Sequence, residues 1–142
     1  MQKTCKYALL LAISFLFSMP AMTQKEGSIW YFGYNAGLDF TRHYPKPLTD
    51  GQIHTREGVA TISSSEGDLL FYTDGTTVWN KIHQVMDNGT GLAGHVTSTQ
   101  SSIIVPTPHK QYEYYVFTVD VVDDDGVPGK GLNYSIVNMV LN

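Results

Sequence analysis

The residues of this 142-residue chain best suited to chemistry are a run of aspartates and five histidines. Asp120, Asp123, Asp124 and Asp125 precede Gly126, and calcium takes several oxygen ligands from a loop with a sharp glycine turn. The familiar twelve-residue calcium loop, however, sets its acids at alternate positions and closes on a glutamate. Here Asp123, Asp124 and Asp125 are contiguous and no glutamate follows. A solvated loop between two strands therefore stands against the calcium site. His43, His54, His83, His95 and His109 form no close pair, whereas zinc and non-haem iron sites usually show two ligands in local register. Each is read as a solvated or hydrogen-bonded ring. Apart from calcium at the aspartates, no cofactor is expected.

Nucleophilic chemistry finds no support. No G-x-S-x-G elbow occurs, and Ser63-Ser64-Ser65 and Ser101-Ser102 sit in turn or strand contexts. The glycines from Gly89 to Gly94 lack the lysine and following helix of a phosphate-binding loop. Thr73-Asp74-Gly75-Thr76-Thr77-Val78-Trp79 departs from the spacing of a sialidase Asp box. Asp74-Gly75 is read as a tight turn and Trp79 as core. With no nucleophile, base and orienting group that can be placed together, the chain is read as a non-enzyme. Net charge is −4 and the nine Lys and Arg are scattered, which excludes the basic stripe that nucleic acid demands.

The elements that must carry these residues begin with an export signal. Lys3 and Lys6 precede the apolar run Tyr7 to Phe17, Pro20 breaks it, and Ala21-Met22-Thr23 offers small residues for cleavage. The alternatives are a retained anchor or a buried amino-terminal helix, but the run is shorter than the roughly 20 apolar residues of a membrane span. Residues 1–23 are assigned as signal peptide, and no membrane span remains after its removal. Cys5 is the sole cysteine and precedes the apolar run, against lipid attachment there. The mature chain from Gln24 then holds no cysteine, so packing must stabilise it without disulfides.

That mature region reads as all-β. Three aromatic-rich strands each lead through a turn into a second strand: Ile29–Gly33 into Gly37–Phe40, Leu69–Gly75 into Thr77–Trp79, and Tyr114–Val119 into Leu132–Ile136. Phe32, Tyr72 and Phe117 hold the same place in this alignment, at intervals of roughly 40 to 45 residues. Val59–Ser63 and Ser102–Val105 add a short β-branched strand before the later two hairpins. A period of this size with three or more strands per unit predicts an incomplete β-propeller of about three blade-like antiparallel sheets, preceded by the signal-peptide helix. The units span about 24–56, 57–97 and 98–142 of the domain 24–142. A β-sandwich with similar hairpins is the alternative. Because rings close with about four to eight blades, a fragment of a larger protein is expected, poorly soluble by itself.

Trp30-Tyr31-Phe32-Gly33, Asn35 to Phe40, Glu57 to Ser63, Leu69 to Gly75, Val78-Trp79-Asn80, Ser98 to Pro106 and Gly131 to Val137 together carry a resemblance. The chain resembles the amino-terminal propeller region of large bacterial surface proteins exported by the type IX secretion system. Those proteins often carry PKD or immunoglobulin-like modules and a gliding-motility-associated sorting domain. The resemblance covers nearly all of the mature chain and implies a propeller fold, no assigned catalytic residues, and the secretion machinery as partner of the full-length form. The resemblance leads one to expect the remaining blades and the sorting domain outside these 142 residues.

Low charge with abundant Tyr, Gly, Ser and Thr suits extracellular β-structure. Strand aromatics such as Trp30, Tyr31, Tyr114 and Tyr115 are expected to pack between blades, whereas Tyr34 and Tyr44, in loops, are ligand-contact candidates. The function expected is a non-enzymatic, secreted or cell-surface binding or scaffold module, adhesin-like, whose partner is protein or polysaccharide. The alternative is a fragment of a propeller-type glycan hydrolase or lyase whose catalytic residues lie outside this chain.

Overall fold

A computed structural model describes residues 25–121 and 129–141. Residues 1–23, expected to be a signal peptide, with Cys5, and the aspartates Asp123, Asp124 and Asp125 lie outside the described residues. Among those described there is no helix. Ten strands form three antiparallel sheets: β1 (Ile29–Phe32), β2 (Ala36–Asp39) and β3 (Lys46–Leu48) in sheet I; β4 (Ala60–Ser63), β5 (Leu69–Thr73), β6 (Thr77–Asn80) and β7 (Val85–Thr90) in sheet II; β8 (Ser102–Pro106), β9 (Glu113–Val119) and β10 (Leu132–Asn138) in sheet III. Each sheet is a meander in chain order.

Tight turns explain the meanders. Between β5 and β6, the Asp74 carboxylate accepts the N–H groups of Thr76 and Thr77 and the Thr76 hydroxyl, each at 2.8 Å. Gly75 follows at φ 89°, where a Cβ would be strained. The carbonyl of Gly75 then accepts the Gly94 N–H at 2.9 Å, and a Cβ on Gly94 would lie 2.4 Å from that same oxygen. Here the return path from β7 to β8 presses directly on the β5–β6 turn. Ser101 completes the seam, its hydroxyl lying 2.7 Å from the Gly58 carbonyl and 2.9 Å from that of Asp74.

The sheets stack through their first strands, β4 lying against β1 on one side and β8 on the other. Thr61 of β4 fastens the first of these contacts by accepting the Tyr31 N–H at 3.1 Å. Strand alternation gives sheet II two working faces. Ile62, Phe71, Val78 and Met86 point one way and pack with Val116 and Val137 of sheet III. Tyr72 and Trp79 point the other way and pack, with Leu69, against Tyr31 of sheet I and Ile53 of the β3–β4 connection. Phe71 and Tyr72 are both fully buried, on opposite sides of one strand.

The alignment of Phe32, Tyr72 and Phe117 does not survive in the structure. Phe32 lies on the first strand of its sheet, Tyr72 and Phe117 on second strands. The turns set the phase between the latter two: Ser64 N–H bonds Asp68 O just as Thr107 N–H bonds Glu113 O. Ile62 opposite Phe71 therefore corresponds to Val105 opposite Tyr115, and Tyr72 corresponds to Val116. A one-residue shift moves a side chain to the other face. Tyr72 is buried between sheets, while Phe117 faces away from sheet II.

Two substitutions test this packing. Phe71→Ala should destabilise the chain by about 3–5 kcal/mol through loss of a fully buried ring. Gly94→Ala should cost about 1–3 kcal/mol although it adds a single methyl, because the obstacle is backbone. Chemical denaturation read by tryptophan fluorescence measures both; a neutral Gly94→Ala would disprove the seam.

Candidate functional site

The densest polar constellation lies between sheets I and II. Tyr31 comes from β1, Tyr72 from β5, His83 from the β6–β7 turn, and Asp50 from the connection after β3. The Tyr31 and Tyr72 rings stack at 4.7 Å between centroids, and Trp79 stacks on the far side of Tyr72 at 5.5 Å. Tyr31 donates its phenolic hydrogen to Asp50 Oδ1 at 2.8 Å. The Tyr72 hydroxyl accepts the Gln52 N–H at 3.1 Å and lies 3.0 Å from His83 Nδ1. On its other side, His83 Nε2 lies 3.5 Å from Asp50 Oδ2, so the imidazole bridges the Tyr72 hydroxyl and the carboxylate.

His83 itself sits at φ 62°, a left-handed conformation that costs a non-glycine residue about 1–2 kcal/mol. The turn that holds it is built by Asn80, whose side-chain oxygen accepts the N–H groups of Ile82 and Gln84. Glycine would be cheaper at this position; the imidazole and its two partners give a reason for histidine.

Burial and hydrogen bonding shift the two phenols upward and the carboxyl downward. Burial, reinforced by the hydrogen bond to Asp50, raises the Tyr31 phenol well above its ordinary range. Burial also raises Tyr72, against the opposing pull of the Gln52 N–H. At Asp50 burial pushes upward, but the Tyr31 hydrogen bond, a backbone hydrogen bond and the neighbouring His83 together hold the carboxyl below its usual value. Two neutral phenols and a carboxylate are thereby held at neutral pH. No activated nucleophile accompanies them, and among the described residues no three His, Cys, Asp or Glu side chains gather to hold a metal.

The ligand-contact candidates lie elsewhere. Tyr34 is 56% exposed and its ring meets His54 edge-on at 4.2 Å, where Tyr34 and His54 also form an isolated β-bridge. Tyr44 is 76% exposed and packs edge-on against His43 at 4.6 Å. Both are thus exposed rings in loops, each beside a histidine. Trp30, expected in the core, is half exposed: it covers Phe40 on the outer side of sheet I and donates its indole N–H to the Gly27 carbonyl. Tyr31 and Tyr114 do pack inward as strand aromatics should. The flank of the aspartate run is visible at Asp120, whose carboxylate accepts the Lys130 and Val121 N–H groups and is held low by them.

Two open grooves complete the surface. One, of about 430 Å³, is lined by the first strands of all three sheets, including Tyr31, Thr61 and Ser102. The other, of about 380 Å³, runs between β7 and β10 beside Met86 and Val137. No sequence signal pointed to Asp50 or to its pairing with Tyr31 and His83, since the three are far apart in the chain and share no motif. No family model matches this chain, and no curated protein and no solved structure matches it either.

The cluster makes stability depend on pH at both extremes. Asp50 titrates lower when folded, so its contribution is present above the unfolded carboxylate value of about 3.9 and is lost as pH falls through the folded value. Tyr31 titrates higher when folded, so its contribution is complete below about 10 and is lost as pH rises above that. Thermal melts across pH should show both arms. Asp50→Asn should flatten the acid arm and Tyr31→Phe the alkaline arm; unchanged arms in these variants would refute the assignment.

Proposed function

We propose that this chain is a non-enzymatic binding or scaffold module of the cell exterior, built as three blade-like sheets of an incomplete propeller. The observation that carries the reading is the contact between first strands, β1 with β4 and β4 with β8. Each sheet begins with the strand nearest its neighbours' first strands, and the three first strands line one groove, as blades line a channel. A sandwich would instead bring two sheets face to face with no common first-strand groove. Export rests on the basic, apolar and small-residue order of residues 1–23. The resemblance to type IX-secreted, gliding-associated surface proteins supports the same compartment and makes a larger adhesin-like protein the natural context.

The binding role follows from what the fold leaves outside. Loop aromatics Tyr34 and Tyr44 are open to solvent, and exposed rings stack on the apolar faces of sugars or on protein side chains. The Tyr31–Asp50–His83–Tyr72 cluster, its two phenols buried and Asp50 at the exposed rim, serves to hold the β3–β4 connection against sheet II. Its polar groups already satisfy one another, which argues for positioning rather than turnover.

Binding of the full chain to purified bacterial exopolysaccharides and to an outer-surface protein fraction tests this, with reducing-end release followed in parallel. Binding without cleavage is expected, weakened several-fold by Tyr34→Ala combined with Tyr44→Ala. Release of reducing ends would instead establish the glycan hydrolase alternative, and retention of full affinity in the double variant would remove these tyrosines from the site.

A further inference from the structure

Among the described residues, sheet II is covered on both faces, whereas sheets I and III are each covered on one. The uncovered face of sheet III carries two adjacent apolar rows, bounded at one end by the Glu113–Asn138 pair. Ile103, Phe117 and Tyr134 form one row across β8, β9 and β10, and Val105, Tyr115 and Ile136 form the next. Ile103, Tyr134 and Ile136 are each more than half exposed. Phe117 and Tyr115 pack with Tyr134 into a small aromatic group within sheet III. The uncovered face of sheet I presents Trp30, Leu38 and Pro47 in one row and Phe32 and Ala36 in the next, with Phe40 against Trp30. No charged side chain interrupts these rows. Contiguous apolar surface of this kind on a soluble chain marks a contact.

The molecule's own interfaces identify the occupant. Val105 and Tyr115 of sheet III correspond to Ile62 and Phe71 of sheet II, and those side chains pack on the opposite-facing side of the next sheet in the series. What covers sheet III must therefore present what sheet III presents to sheet II: the side of a meander that faces back along the series, with its first strand inward. Among the described residues the uncovered face of that kind is the outer face of sheet I. Sheets I and III of one chain are held apart by sheet II, and a second copy supplies the face that sheet III needs.

We propose that two copies associate head to tail, sheet III of each packing on sheet I of the other. The contact repeats the internal I–II and II–III stacking and rests on the blade reading given above. Three sheets from each chain yield a six-sheet ring, within the four to eight that propellers close. Because the two faces differ, the contact is heterologous, and such contacts form closed rings when the rotation returns on itself and fibres when it does not.

The mass of the purified full chain in solution, by light scattering coupled to size exclusion, is the first test and needs no variant. A dimer is expected; a monomer, an open-ended polymer, or a monomer that adsorbs to phosphatidylcholine vesicles through these faces overturns the proposal. Ile136→Glu on sheet III and Phe32→Glu on sheet I should each yield monomers with an unchanged β-sheet circular dichroism spectrum. Mixing the two variants should restore dimer, since one chain keeps sheet III intact and the other sheet I. A dimer that survives Phe32→Glu would be a symmetric pairing of sheet III with itself and would refute the head-to-tail contact. A solved monomer in which β1, β4 and β8 still line one groove would overturn the pairing alone; one in which they do not would remove the blade reading as well.

Discussion

The fold depends on covering both faces of one sheet. Sheet II carries apolar side chains on either side, and neither face can be left wet, because each fully buried large side chain contributes roughly 1.5–3 kcal/mol. Phe71 and Tyr72, adjacent in the chain and both fully buried, state the constraint in two residues. One demands sheet III and the other demands sheet I. The position of β4 between β1 and β8 follows from this demand, as do the Gly75–Gly94 contact and the seam at Ser101, which let the chain return closely enough to place the third sheet.

The same constraint accounts for the polar cluster. Tyr31 and Tyr72 are at the I–II interface chiefly for the area of their rings, and their hydroxyls find partners at its rim, where Asp50 is exposed. Asp50 and His83 supply them, with Gln52 contributing a backbone donor. A network satisfied from within holds two sheets and a connecting loop in one arrangement. The exposed chemistry of this molecule is instead aromatic: Tyr34 and Tyr44 in loops, and the outer rows of sheets I and III.

How the outer rows differ from the inner ones shows why a repeat read from sequence slipped by one position. Composition alone places Phe117 beside Tyr72, since both are aromatic and both follow a short β-branched strand. The phase of a strand is set by the turn before it, and Thr107 and Ser64 define equivalent turns with different numbers of residues before the next strand. The consequence is a change of face. In the same way Trp30, an aromatic on a strand, reads as core but lies outward, because its neighbour Tyr31 takes the inward position.

Local chemistry was legible in the chain itself. The absence of helix periodicity after Thr23, the β-branched and aromatic strands, the Asp74-Gly75 turn and the exposed loop positions of Tyr34 and Tyr44 all follow from residues within a few positions of one another, where alternation and turn preference act. Nothing local brings Asp50 to Tyr31 and His83, chooses the face on which Phe117 falls, or leaves two unlike apolar sheet faces uncovered. Those features arise where the three sheets meet, since burial of a side chain is decided by which distant segment lies opposite it, and that opposition exists only after the chain has folded.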